Sequence, residues 1–103
     1  MRKPRRTFSP EFKREAAELV LDRDYSTGEA CRSLGIGATA LRRWVTQLRA
    51  ERGGVTPQGK ALTPEQQKIQ ALEARISRLE LEKSILKKAT ALLMSEDFKP
   101  GRL

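Results

Sequence analysis

Arg42 and Arg43 are adjacent and follow closely on a glycine, Gly35. A guanidinium fork can donate in parallel to O6 and N7 of a guanine, or to phosphate oxygens. Ala38, Thr39, Thr46 and Gln47 lie on the same predicted helix, where their methyl, hydroxyl and amide groups can meet base edges or backbone. Ser26 stands at the start of the preceding helix, and Arg2, Lys3, Arg5 and Arg6 form a basic arm. The chemistry these residues offer is recognition of a polyanion. Residues for bond-breaking are scarce. There is no histidine, which removes the commonest general base and metal ligand. Cys31 is the only cysteine, too few for a zinc site or an internal disulfide. The pair Gly35 and Gly37 is followed by Ala40 where a third glycine of a phosphate loop would stand, and no strand precedes it. No metal and no cofactor is expected.

The charge balance agrees. The 103 residues carry a formal net charge of +8, with 33% charged and only 5% aromatic residues. The pI is about 10.3. So few large apolar side chains build only a small core, and so much positive charge points to nucleic acid. No apolar run approaches the length of a membrane span, and no apolar segment follows the basic start as it would in a secretory signal. The expected location is cytoplasmic and DNA-associated, with no membrane partner.

Three short helices must position the arginines. Ser9-Pro10 predicts a first helix, serine as its cap and proline at its first position, ending near Asp22 to Asp24. Its apolar stripe is Phe12, Ala16, Leu19 and Val20. Ser26-Thr27-Gly28-Glu29 predicts a capping box opening a second helix, with Ala30 and Leu34 inward and Gly35 ending it. Cys31 is expected at the crossing of two helices, where a small residue fits. A third helix runs from Gly37-Ala38 to about Arg49, with Leu41, Trp44, Val45 and Leu48 inward. This is the spacing of a helix-turn-helix closed by a third helix, and it places Arg42 and Arg43 on the helix that enters the major groove. Which arginine meets a base and which a phosphate stays open. A three-helix bundle with no DNA role is the plainer alternative.

The expected organisation is all-α: an arm over 1–7, a helix-turn-helix domain over 8–52, a flexible linker over 53–62, a leucine-zipper helix over 63–94 and a tail over 95–103. The linker reading rests on Gly53, Gly54, Pro57 and Gly59. Thr63-Pro64-Glu65-Gln66 predicts another cap, with glutamine closing the box. Leu72, Leu79, Leu86 and Leu93 recur every seventh residue, and Ile69, Ile76, Lys83 and Thr90 occupy the other seam position. β-branched residues opposite leucine favour a parallel two-stranded coiled coil. The flanking pairs Lys68 with Glu73, Arg75 with Glu80 and Glu82 with Lys87 would be attractive across such a dimer. Leu81, Ile85 and Leu92 form a second stripe off the seam. A single helix folded back on the head is the alternative.

The runs FSPEFKREAAELV, EACRSLGIGATALRRW and LEARISRLELEKSILKKATALL resemble the first-frame protein, OrfA, of bacterial insertion sequences of the IS-three family. The resemblance covers residues 6–94. It implies binding to terminal inverted repeats of double-stranded DNA through Ala38 to Gln47, and multimerisation through Ile69 to Leu93. It also implies that catalysis belongs to an acidic triad in a second reading frame, made as a longer fusion that shares the zipper. Gly37 stands where such proteins often carry a polar cap. The competing reading is a free-standing dimeric helix-turn-helix transcription regulator; a structural coiled-coil adaptor is a third.

Overall fold

The structure is a computed structural model; it describes residues 6–97, and the side chains of residues 6–95. Among these it contains four α-helices and no strand. They are α1 (Pro10–Leu21), α2 (Thr27–Leu34), α3 (Ala38–Arg52) and α4 (Pro64–Asp97). Contacts divide the chain into two units, residues 1–70 and 71–103.

The caps arise where the sequence places them. Ser9 Oγ accepts from Phe12 N at 3.1 Å. Ser26 and Glu29 complete the reciprocal box at 3.1 and 3.0 Å. Donation to the Glu29 carboxylate from Ser26, its backbone N–H first and its hydroxyl second, holds that carboxyl below its ordinary range. Gly35 adopts φ 68°, a left-handed conformation that costs glycine little, and α2 stops there. Its N–H and that of Ile36 both donate to the Cys31 carbonyl, at 2.8 and 3.2 Å.

The core of the first unit is small and aromatic at one end. Ala16, Ala17, Ala30, Leu41, Leu48 and Leu62 are almost wholly buried, beside Ile36 and Trp44. The two alanines of α1 and Ala30 of α2 let the helix backbones approach closely. Ala30 is fully buried while Cys31 is only partly so, which places the tight crossing one residue before the expected cysteine. Phe8, which precedes the α1 cap, stacks on Phe12 at 5.1 Å and meets Trp44 edge-on at 5.2 Å. The ordered head therefore begins before the first helix. At its other end the Arg52 guanidinium forks onto Asp22 at 2.8 and 2.6 Å, joining the C-termini of α1 and α3 and holding the Asp22 carboxyl down.

The segment expected as a flexible linker departs from that reading over its second half. Ala61, Leu62 and Thr63 are buried, and Leu62 belongs to the head's core. The cause is Glu51, a carboxylate only 4% exposed at the end of α3. It accepts from Leu62 N at 3.0 and 2.9 Å and from Thr63 N at 2.9 Å. Around it, Gln47 donates to Glu51 and to the Lys60 carbonyl, and Gln70 donates to the carbonyls of Pro57 and Gly59. The cap of α4 is correspondingly altered. Thr63 Oγ1 accepts from Gln66 N at 3.2 Å as expected, but Gln66 does not reach back. Its carbonyl oxygen accepts from Thr56 at 2.6 Å instead, and Glu51 takes the Thr63 N–H.

In the second unit α4 presents its apolar residues outward. Leu72, Ile76, Leu79, Leu86 and Leu93 are about half to two-thirds exposed on the seam face, and so are Leu81, Ile85 and Leu92 off it. Ile69, at the start of the seam, is 38% exposed within the first unit.

Removing Glu51 leaves two buried N–H groups without acceptors. Glu51→Ala is expected to destabilise the head by about 2–4 kcal/mol in denaturant melts followed by circular dichroism. Burial pushes the Glu51 carboxyl up, but hydrogen bonds from Gln47, Thr63 and Leu62 outweigh it and leave the group below 4.5. A depressed folded-state value means the stabilisation is complete above pH 4.5 and disappears as the pH falls through the folded-state value. The gap between wild type and variant should therefore narrow in acid, by the part that depends on the charged carboxylate; a constant gap down to acid unfolding would contradict the assignment.

Candidate nucleic-acid interface

Helical spacing sorts α3 into two faces. Leu41, Trp44, Leu48 and Glu51 point inward, and Thr39, Arg42, Arg43 and Thr46 are exposed together on the opposite side. The ion pairs of the head are Arg14 with Glu18, and Arg52 with Glu18 and Asp22. Neither Arg42 nor Arg43 has an acidic partner among the described residues. Their guanidinium donors thus face solvent beside two hydroxyls, on the second helix of a helix-turn-helix pair. Ala38 is partly buried at the helix start, and Gly37 caps α3 with no side-chain hydrogen bond.

A groove of about 410 Å³ runs beside this face. Arg42, Arg43, Thr46 and Glu51 line it, with Ala50, Val55 and Pro57 supplying apolar surface. Val55 is 57% exposed, the kind of apolar edge that can meet a thymine methyl.

Other residues of the expected site have different work in the structure. Gln47 spends its amide donors on Glu51 at 2.7 Å and on the Lys60 carbonyl at 2.9 Å. Ser26 Oγ is the α2 cap acceptor. Arg6 donates to the Gly35 carbonyl at 2.6 Å, and its guanidinium lies 4.9 Å from the centre of the Phe8 ring. The end of the arm is thereby fixed to the turn of the helix-turn-helix. Arg2, Lys3 and Arg5 lie outside the described residues. The sequence reading passed over Lys13, which lines a cleft with Arg6 and Arg43. Its spacing of three residues from Pro10 puts it at the arm end of α1, a signal visible only once the arm is known to fold over that end.

Two neighbours on α3 separate the roles. Gln47→Ala loses two hydrogen bonds and is expected to lower the head's stability by about 1–2 kcal/mol. For a domain this size that corresponds to a fall in Tm of several degrees, roughly 4–8 °C per kcal/mol. Thr46→Ala, on the exposed face, should leave Tm nearly unchanged. Scanning calorimetry of the pair checks this, and equal shifts for both would refute the division.

The comparisons with known proteins point the same way. Residues 1–77 match the family HTH_Tnp_1, described as Transposase. The chain is 48% identical over 86 residues to the Escherichia coli K12 protein named as transposase InsN of insertion sequence element IS911A, covering 84% of this chain and 64% of that protein. It is 45% identical over 84 residues to the InsN protein of element IS911B of the same organism, covering 82% of this chain and 96% of that protein. An 11 kDa protein of insertion element IS600 from Shigella sonnei is 34% identical over 95 residues, 92% of this chain and 93% of that protein. No solved structure matches. With an all-helical head of helix-turn-helix form and a long C-terminal helix, the chain belongs to the insertion-sequence transposase family, in the OrfA-type group that its motifs resemble.

Proposed function

We propose that this protein is the non-catalytic, DNA-binding component of a transposition system. Its head binds the terminal inverted repeats of an insertion sequence in the cytoplasm. Its zipper helix assembles copies of the chain, as parallel dimers, and also pairs with a longer transposase fusion that shares Ile69 to Leu86. In that role it supports or regulates transposition while a separate domain performs the strand chemistry. The observation that carries the reading is the solvent-facing cluster Thr39, Arg42, Arg43 and Thr46 on the second helix of the turn closed by Gly35. A helix so placed fits the major groove, where two arginines can read guanines or hold phosphates.

The zipper half rests on the outward apolar seam. Leu72, Ile76, Leu79, Leu86 and Leu93 all expose about half of their surface or more. An apolar stripe this long is costly in water and gains from a partner. The seven-residue repeat and complementary flanking charges favour a second copy in parallel register. Among the described residues no helix is long and apolar enough to cross a membrane, so the stripe is not a bilayer span.

The direct test is binding to a labelled duplex carrying an element end, compared with a random duplex of equal length over a salt series. Preference for the element end, with steep weakening in salt, is expected. Absence of any DNA binding would overturn the reading. Leu79→Pro breaks α4 at a cost of about 3 kcal/mol or more. Light scattering should then report a monomer, while single-duplex binding persists. A mixture of two differently labelled end fragments should give a complex containing both with wild type and not with Leu79→Pro.

A further inference from the structure

The two arginines of α3 do not stand in the same surroundings. Arg42 lines the groove toward Val55 and Pro57. Arg43 lines that groove and also a second cleft on the other side, formed with the arm and α1. Arg6, Thr7, Phe8, Lys13 and Trp44 contribute to this second cleft, and no acidic residue does.

We infer that this cleft is a seat for a DNA backbone phosphate, held by Arg43 and Lys13 with Arg6 and Thr7 beside them, and that Arg42 is the arginine left to read a base. The inference rests on the proposed DNA-binding function and assigns the two arginines within it. Three cations from three separate elements converge here: the arm, α1 and α3. Neither Lys13 nor Arg43 has an ion-pair partner among the described residues. Like charges gathered in a concave site are unfavourable unless an anion joins them, and a concave wall focuses their field on that anion.

The cleft is also built rather than incidental. Arg6 is fixed through the Gly35 carbonyl at 2.6 Å and through the Phe8 ring, so its remaining N–H donors are held beside the cleft without further ordering cost. Phe8 is itself locked between Phe12 and Trp44. Trp44 is only 6% exposed, yet it lines the cleft. Preorganised donors of this kind position a duplex backbone while carrying no sequence information. Arg42, on the same exposed face but outside the cleft, keeps its fork for a base edge.

The distinction is measurable because phosphate contacts and base contacts respond differently to salt and to sequence. Wild type, Lys13→Gln, Arg43→Gln, Arg42→Gln and Lys88→Gln are titrated with an element-end duplex and a random duplex. Lys88→Gln removes the same charge from a solvated position of α4. Lys13→Gln and Arg43→Gln should each weaken binding to both duplexes by a similar factor, roughly tenfold. Each should lower the slope of log affinity against log salt by about 0.9. Lys13→Arg should retain the wild-type slope. Arg42→Gln should lose preference for the element end and keep nearly the wild-type affinity for random DNA. Binding by wild type combined with Lys13→Gln and Arg43→Gln values equal to those of Lys88→Gln would overturn the seat but leave the DNA-binding function standing. Loss confined to the element-end duplex for Arg43→Gln would make it a base reader and also overturn the seat. Wild type that binds neither duplex would instead remove the function itself. Circular dichroism of each variant confirms folding; Arg43 is exposed, so its variant tests the seat even if Lys13→Gln loosens α1.

Discussion

A single buried carboxylate decides where the head ends. Glu51 would be expensive in the interior if left alone, because a desolvated charge needs partners. It obtains them from the backbone N–H groups of Leu62 and Thr63 and from the Gln47 amide. One of those donors, the Thr63 N–H, belongs to the residue that caps α4, where the backbone has no helical acceptor. One interaction therefore solves two problems, the burial of an acid and the capping of a helix start. The burial of Leu62 follows from it, as does the placement of Gln66 and Gln70 against the chain segment before them.

This also explains what could and could not be read in advance. Caps, the turn glycine and the apolar stripes of α1 and α3 depend on residues a few positions apart, and local chemistry specifies them. Ser9, Ser26, Gly35 and Trp44 behave as their spacing requires. Residues 56–62 look like a linker because Pro57 and Gly59 favour irregular backbone. Their order comes from Glu51 and Gln70, whose side chains reach across the sequence, and no local pattern announces that. Phe8 was hidden by the basic residues before it. Within the candidate site, the exposed quartet on α3 was legible from helical period alone. The reassignment of Gln47 and Arg6 was not, since both are held by main-chain carbonyls of distant segments, Lys60 and Gly35.

The high positive charge resolves into two populations. Arg14 and Arg52 act within the fold: Arg52 raises its own proton affinity through Asp22, and Arg14 reaches Glu18 and the Leu62 carbonyl. Arg42, Arg43 and Lys13 lack such acidic partners among the described residues; Arg43 and Lys13 line one cleft, and Arg42 shares a groove with Arg43. A net charge counts both alike, and only the second kind can be given to a polyanion without loosening the head.

The outward apolar residues of α4 beyond Gln70 have a consequence for how much protein a cell must hold. A lone helix in water is marginal, sustained by its own backbone bonds and little else. Ordering that gains from a partner obeys mass action, so its extent follows the amount of protein present. The head carries its own core and is exempt. If copies pair as proposed, the head is folded from the first molecule as the protein accumulates, whereas the helical part from Ala71 onward matures with abundance. Under that pairing, copy number becomes a physical variable of the fold itself.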